Sequence, residues 1–223
     1  MRGLFVTGTD TGVGKTEVAV AIVSGARARG MDVGAMKPAQ SGIGDGLPTD
    51  ADRLRAAAGE TDPAELVCPY ALHAPLAPFV AARLEGVEIS LTHVLACAVE
   101  LARRHQALVV EGAGGLLVPL TASETYADLA LALGMPVLVV ARAGLGTVNH
   151  TALTCEALRA RGLAVAGVVL NRASAGTDPS EPHNAAEIER LTGVRVLASI
   201  PHEPDPRLRA RLLPDRLAGA VQF

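Results

Sequence analysis

Between Gly8 and Thr16 the chain reads GTDTGVGKT, set between the apolar runs GLFVT and EVAVAIV. Glycines there let the backbone turn tightly and aim successive N–H groups inward. A following helix adds unpaired N–H groups and a partial positive charge at its N-terminus, so the stretch is built to hold an anion. Lys15 supplies a full charge suited to the β- and γ-phosphates of a nucleotide, and the Thr16 hydroxyl is suited to Mg²⁺. The general phosphate-loop pattern G-x-x-x-x-G-K-[ST] is stretched here. Five residues separate Gly8 from Gly14, and Thr9 stands where the first glycine is expected.

A polyphosphate site also needs a carboxylate for its metal. ALVVEGAGG ends an apolar run on Glu111 and continues in glycines, the placement of a strand-end metal carboxylate. Gly112, Gly114 and Gly115 would let backbone approach a ligand. A second metal carboxylate is expected from PTDADR, where Asp50, Asp52 and the nearby Asp45 compete and where Thr49 or Asp50 also suits a helix cap. Lys37 closes a second apolar run just before Pro38. An ammonium group there is costly unless it meets an anion. Ser41 follows in a flexible loop. Where GTPases of similar topology carry Asn-Lys-x-Asp, this chain has Asn171, Arg172 and Ser174 in NRAS. The carboxylate that reads guanine is missing, which points to ATP.

Elements that could position these residues are legible in the hydropathy. Short Val-rich runs recur at 3–7, 32–38, 107–112, 136–141, 165–171 and 194–201, without period-2 alternation, as in strands buried on both faces of a parallel sheet. Helical segments lie between them at 16–29, 90–105, 125–133, 147–162 and 184–193. Ser90 is placed to cap one, and Thr125 with Asp128 has capping-box spacing at another. Strand and helix alternate, which predicts an α/β fold: a doubly wound, mostly parallel sheet flanked by helices, of the P-loop NTPase type, with residues 1–223 as a single domain. Ligands of such sheets sit beyond the carboxyl ends of the strands. Three loops stand out, at 39–50, 172–183 and 201–206.

Composition narrows the partners. Aromatic residues are only 2% of the chain, which leaves little for base stacking, and a formal net charge of -3 without a basic cluster argues against nucleic acid or an anionic membrane surface. No uncharged run approaches the ~20 residues of a membrane span, and the N-terminal run is not a signal peptide. Cys68, Cys97 and Cys155 are far apart and odd in number, which predicts reduced thiols and a cytoplasmic protein.

VTGTDTGVGKT, KPAQSG, VEGAGG and LGTVNH, in this order and spacing, resemble the dethiobiotin synthetase family over residues 1 to about 201. The lengthened phosphate loop is a feature of that family. The resemblance implies ATP-dependent closure of a ureido ring on 7,8-diaminononanoate: an amine takes up CO₂ as a carbamate, ATP phosphorylates it, and the second amine displaces phosphate. It implies nucleotide contacts from Gly12, Val13, Gly14, Lys15, Thr16, Asn171 and Pro201, the last two on the adenine side. It assigns Mg²⁺ to Thr16, Asp50 and Glu111, and catalysis to Lys37, Lys15 and Thr11. Substrate contacts fall to Lys37, Ser41 and Gly114. A homodimer is implied, with Leu145, Gly146 and Asn149 of LGTVNH receiving the substrate's carboxylate tail across the subunit boundary. The tail after SIP matches little in the family, and His202 and Glu203 are candidates by position alone.

Three other readings compete. A regulatory ATPase of the partition or iron–sulfur-carrier kind would put a lysine early in the loop, where Asp10 stands, and a carrier would want paired cysteines. A cobyrinate-type amidotransferase would need a further glutaminase domain for which the chain has no room. A nucleotide-binding module without catalysis leaves Lys37 and EGAGG unexplained.

Overall fold

The structure is a computed structural model that describes residues 1–44, 46–172, 175–176 and 178–203. Asp45, Ser174 and the tail beyond Glu203 therefore lie outside the described residues. In chain order the elements are β1 (Gly3–Gly8), α1 (Lys15–Ala28), β2 (Val33–Met36), β3 (Ala39–Gln40), α2 (Asp50–Ala57), α3 (Ala64–Val67), β4 (Tyr70–Ala71), α4 (Pro78–Leu84), α5 (Leu91–Arg104), β5 (Ala107–Gly115), α6 (Tyr126–Leu133), β6 (Val137–Arg142), α7 (Thr147–Ala160), β7 (Val165–Asn171), α8 (Glu181–Thr192) and β8 (Val196–Ile200). The six Val-rich runs are the six strands of one sheet, ordered β2-β5-β1-β6-β7-β8, and every neighbouring pair is parallel.

The lack of period-2 alternation has its cause in two cores, one on each face of the sheet. Phe5, Leu108, Val110, Val139, Val168 and Leu170 pack on Val94, Leu101, Leu129, Leu158 and Ile188 from α5 to α8. Leu4, Val6, Val33, Val109, Val140 and Val169 pack on Val18, Ile22 and Val23 of α1 and Leu54 of α2. Successive strand residues face opposite cores, so both must be apolar. β1 is accordingly buried along its whole length.

Boundaries differ from the sequence reading in explicable ways. β5 runs to Gly115, beyond Gly112, because Gly115 still pairs with Gly8 past an irregularity in the ladder. α8 starts at Glu181 rather than 184, since Pro182 falls in the first turn, where a missing N–H costs nothing. α3, α4 and the two-residue β3 and β4 went unpredicted, being too short to show a period. Cys97 and Cys155 are buried, Cys68 is partly so, and all three are free thiols. Among the described residues no helix is long and apolar enough to cross a membrane.

The capping box expected at α6 is present. Asp128 Oδ2 accepts from the Thr125 N–H at 2.7 Å and from its hydroxyl at 2.7 Å. The Thr125 hydroxyl and backbone hold the Asp128 carboxyl below the ordinary aspartate value. A depressed folded pKa stabilises above the unfolded pKa and is lost as pH falls through the folded one. Asp128→Ala should therefore cost about 1 kcal/mol near neutral pH, a difference that shrinks below about pH 4. Denaturant melts across pH test this, and equal stability at neutral pH would show that the box contributes nothing.

Candidate active site

Strand register brings the reactive groups together. Met36 pairs with Val110, so Lys37 comes beside Glu111; Val6 pairs with Glu111, so the glycine-rich loop leaves β1 next to the same carboxylate. The Lys37 N–H is fixed to the Val67 carbonyl at 2.8 Å. Its ammonium lies 2.5 Å from Glu111 Oε1, 3.2 Å from Asp50 Oδ2 and 3.4 Å from the Gly112 carbonyl. Thr16, on the first turn of α1, donates its hydroxyl to Glu111 Oε1 at 2.8 Å. Glu111 is fully buried, and its Oε2 has no hydrogen-bond partner.

The electrostatics follow from burial and pairing. Burial would lower the Lys37 pKa, but Glu111 and Asp50 outweigh it and raise it. Burial would raise that of Asp50, yet the Lys37 ammonium holds it below the usual carboxylate range. Lys15 lacks such a carboxylate contact; its ammonium donates to the Asp10 carbonyl at 2.9 Å. Burial, and then repulsion from Lys37, bring its pKa down to about 8.

These groups open onto one cavity of about 700 Å³. Of the expected site residues, Thr11, Gly12, Gly14, Lys15, Thr16, Lys37, Ser41, Asp50, Glu111, Gly114 and Asn171 line it. The carboxylate contest near α2 has a geometric outcome. Thr49 is the cap, and Asp52 is engaged in a capping box with it, accepting the Thr49 N–H at 2.8 Å. Asp50 faces the cavity. The Val13 side chain belongs to the core beneath α1. Pro201 borders a second cavity of about 610 Å³ with Ala143, Leu170 and Pro182. Leu145 borders a third, of about 510 Å³, with Thr11, Gly12 and Arg142. Leu145, Gly146 and Asn149 are exposed and lie apart from the Lys37 cavity within the chain.

Several contributors were not singled out in the sequence. Gln40 accepts the Ala51 N–H at 3.1 Å and so seats the start of α2. Arg53, one turn after Asp50, lines the cavity and pairs with Glu17 at 2.7 Å. Arg142 pairs with Asp10 at 2.7 Å. The recurrence of a charge three residues after Asp50 was a usable signal for Arg53. For Arg142 and Asp10, 132 residues apart, there was none. Asn171 is fully buried, and its amide donates to the Val13 carbonyl at 2.8 Å, which locks the glycine-rich loop onto the end of β7.

A family model described as an AAA domain matches residues 2–207. The chain is 66% identical over 223 residues, all of both chains, to the ATP-dependent dethiobiotin synthetase BioD of Anaeromyxobacter dehalogenans strain 2CP-1. It is 40% identical over 202 residues, 90% of this chain and 87% of the relative, to the protein of that name from Bacillus subtilis subsp. natto. A ParA family ATPase from Chlorobium tepidum TLS superposes with a TM-score of 0.58 at 14% identity, over 97% of this chain and 92% of that one. At that identity the likeness is one of fold.

The loop's two left-handed glycines make a graded test. Gly12 has φ +73° with open space around it, whereas Gly14 has φ +93° and a Cβ there would collide with the Asn171 amide. Gly12→Ala should cost only backbone strain, about 1–2 kcal/mol. Gly14→Ala should weaken ATP binding further, by at least about another tenfold. Titration calorimetry with ATP reads both; equal losses would mean that the Asn171 contact does not shape the loop.

Proposed function

The chain belongs to the family of ATP-dependent dethiobiotin synthetases, and on that premise we propose how its residues close a ureido ring on 7,8-diaminononanoate with CO₂ and ATP. It is an ATP-consuming cyclo-ligase of biotin biosynthesis that acts on small molecules. The observation that carries the mechanism is the approach of Lys37, Lys15, Thr16, Asp50 and Glu111 to one cavity.

The reaction brings two anions together. One amine of the substrate attacks CO₂, forms an N–C bond and sheds a proton, giving a carbamate. A carbamate oxygen then attacks the γ-phosphorus as the bond to ADP breaks. The second amine attacks the carbonyl carbon, phosphate leaves, and the ring closes. In this reading Gly12 to Thr16 wrap the phosphates with backbone N–H groups, and Lys15 exchanges its Asp10 carbonyl for phosphate oxygen. Lys37 offsets the charge where carbamate and γ-phosphate meet. Thr11, Ser41 and Gly114 border that point and orient the diamine. Pro201 serves the base side, and Asn171 does so with its amide still tied to Val13.

The donor set fits a divalent cation. A fully buried carboxylate oxygen without a partner, Glu111 Oε2, calls for one. Among the described residues no cluster of three or more His, Cys, Asp or Glu forms a ready metal centre, as expected for Mg²⁺, which takes one or two protein carboxylates and completes its shell with phosphate and water. Thr16, Asp50 and Glu111 would hold Mg²⁺, and when bound it would neutralise charge on the β- and γ-phosphates. The same reading places residues 1–223 as one domain in a cytoplasmic homodimer, with the partner's Leu145, Gly146 and Asn149 receiving the carboxylate tail. A carboxylate suits the start of a helix such as α7.

Phosphate release by the wild-type protein should require both the diamine and bicarbonate, stop on chelation of divalent metal and return with Mg²⁺. Release indifferent to the diamine would sink the assignment. Lys37→Ala should lower kcat by about 10²-fold or more while ATP still binds; normal turnover would remove Lys37 from the chemistry.

A further inference from the structure

The loop that enters α7 is held by side chains from the start of α8. Asp178 Oδ2 accepts the Leu145 N–H at 2.7 Å, while its Oδ1 accepts the Ser180 N–H at 2.9 Å and the Ser180 hydroxyl at 2.7 Å. Asn184, only 6% exposed, donates its amide to the Ala143 carbonyl at 2.7 Å, with Ser180 Oγ at 3.0 Å and the Gly144 carbonyl at 3.4 Å. Ala143 also donates its N–H to the Asn171 carbonyl at 3.0 Å. Three successive residues thus have backbone groups held by partners from β7 and the region after it. A Cβ at Gly144 would sit 2.6 Å from Asp178 Oδ2, so a larger residue there would push that carboxylate aside. Gly146, the cap of α7, has a left-handed backbone and no side-chain cap of its own. The shape of this entry is therefore imposed from outside the loop.

A connection that served only to join β6 to α7 would leave such backbone groups to solvent. Here the buried Asn184 and the part-exposed Asp178 hold it in one conformation, and that conformation leaves Leu145, Gly146 and Asn149 exposed. We propose that Asp178 and Asn184 are positioning residues for the known reaction: they hold Ala143–Leu145 so that the first turn of α7 meets the substrate's carboxylate tail in a preformed geometry. This rests on the assignment of Leu145, Gly146 and Asn149 to the substrate. The carboxylate of Asp178 does not oppose the incoming tail outright, because its charge is spread over three donors. Asn171 joins the two regions, its amide on Val13 and its carbonyl on Ala143, and Asp178 also borders the Pro201 cavity. The Asp178 and Asn184 bonds themselves fall on Ala143–Leu145, so the larger effect is expected on the diamine.

Steady-state phosphate release by the full-length protein tests this, with diaminononanoate and ATP varied in turn. Asp178→Ala and Asn184→Ala should each raise KM for the diamine about tenfold, the loss expected for one charge-assisted or buried hydrogen bond, with KM for ATP within about twofold. Asp178→Asn keeps an acceptor for Leu145 and should recover part of the loss, and it serves if the alanine variant folds poorly. An unchanged KM for the diamine, or a rise for ATP in step with it, overturns the proposal. Hydrogen exchange at the Leu145 amide is read in the same proteins. Faster exchange in Asp178→Ala is expected, and unchanged exchange removes the clamp whatever the substrate. A wild-type protein that ignores the diamine fails at the underlying assignment instead, and this is told apart by altered exchange in the variant.

Discussion

Lys37, only 3% exposed, holds the charged groups of the cavity together. Taking the Lys37 charge out of water costs several kcal/mol, and so does burying Glu111. Their contact at 2.5 Å, with Asp50 at 3.2 Å, offsets much of that. Removal of one partner would leave an uncompensated buried charge. The pair therefore constrains everything around it. β2 must stand next to β5 in the observed register, and the chain must turn after Lys37 as its N–H meets Val67. α2 must present Asp50 rather than Asp52 to the cavity. The capping box at Thr49 does this by engaging Asp52, while Gln40 pins the Ala51 N–H.

What the sequence disclosed divides along the range of the interactions. All six strands of the main sheet were legible because burial on both faces demands unbroken apolar runs, a local signal. The phosphate loop, Glu111 and Lys37 were legible because a charged or glycine-rich residue at the end of a buried strand is anomalous wherever it occurs. Asp50 could not be separated from Asp52, since both suit a helix start and only the fold decides which carboxylate points inward. The Asn171 hold on Val13 spans 158 residues and has no local trace. Asp178, Ser180 and Asn184 looked like turn and helix-start residues, and Asp178 and Ser180 do make a local turn contact. Their grip on the α7 entry comes from the adjacency of β6 and β7.

The fold alone does not decide the chemistry. A ParA family ATPase shares the scaffold at 14% identity, a likeness of fold that leaves the chemistry to the site. Distinction lies in side chains placed on that scaffold. At Asp10 this chain has a carboxylate where a switch ATPase would put a cation, and it neutralises that carboxylate within the chain through Arg142. Apart from Arg53, which pairs with Glu17, the cations near the cavity come from the loop after β1 and the end of β2. In the proposed reaction they would serve a second substrate as well as the nucleotide.

Charge counting around the cavity explains why two lysines are arranged so differently. Lys37 and Lys15 oppose Glu111 and Asp50, so the protein groups nearly cancel, and a triphosphate entering alone would find little net attraction beyond the backbone nest. Lys37 is satisfied by carboxylates and keeps its charge firmly. Lys15 rests on a neutral carbonyl, and burial and Lys37 bring its pKa to about 8. A cation held weakly on a carbonyl is easily transferred to phosphate oxygen, whose charge stabilises it far better than the carbonyl does. Lys15 is thus the lysine that gains most from nucleotide arrival. Lys37 can turn toward a second anion only when another positive charge takes over Glu111 and Asp50, the condition that a metal-bound nucleotide would create. In the proposed mechanism, the order of charges follows from which lysine has a carboxylate partner: the nucleotide would come first, and the Lys37 ammonium would then serve the carbamate.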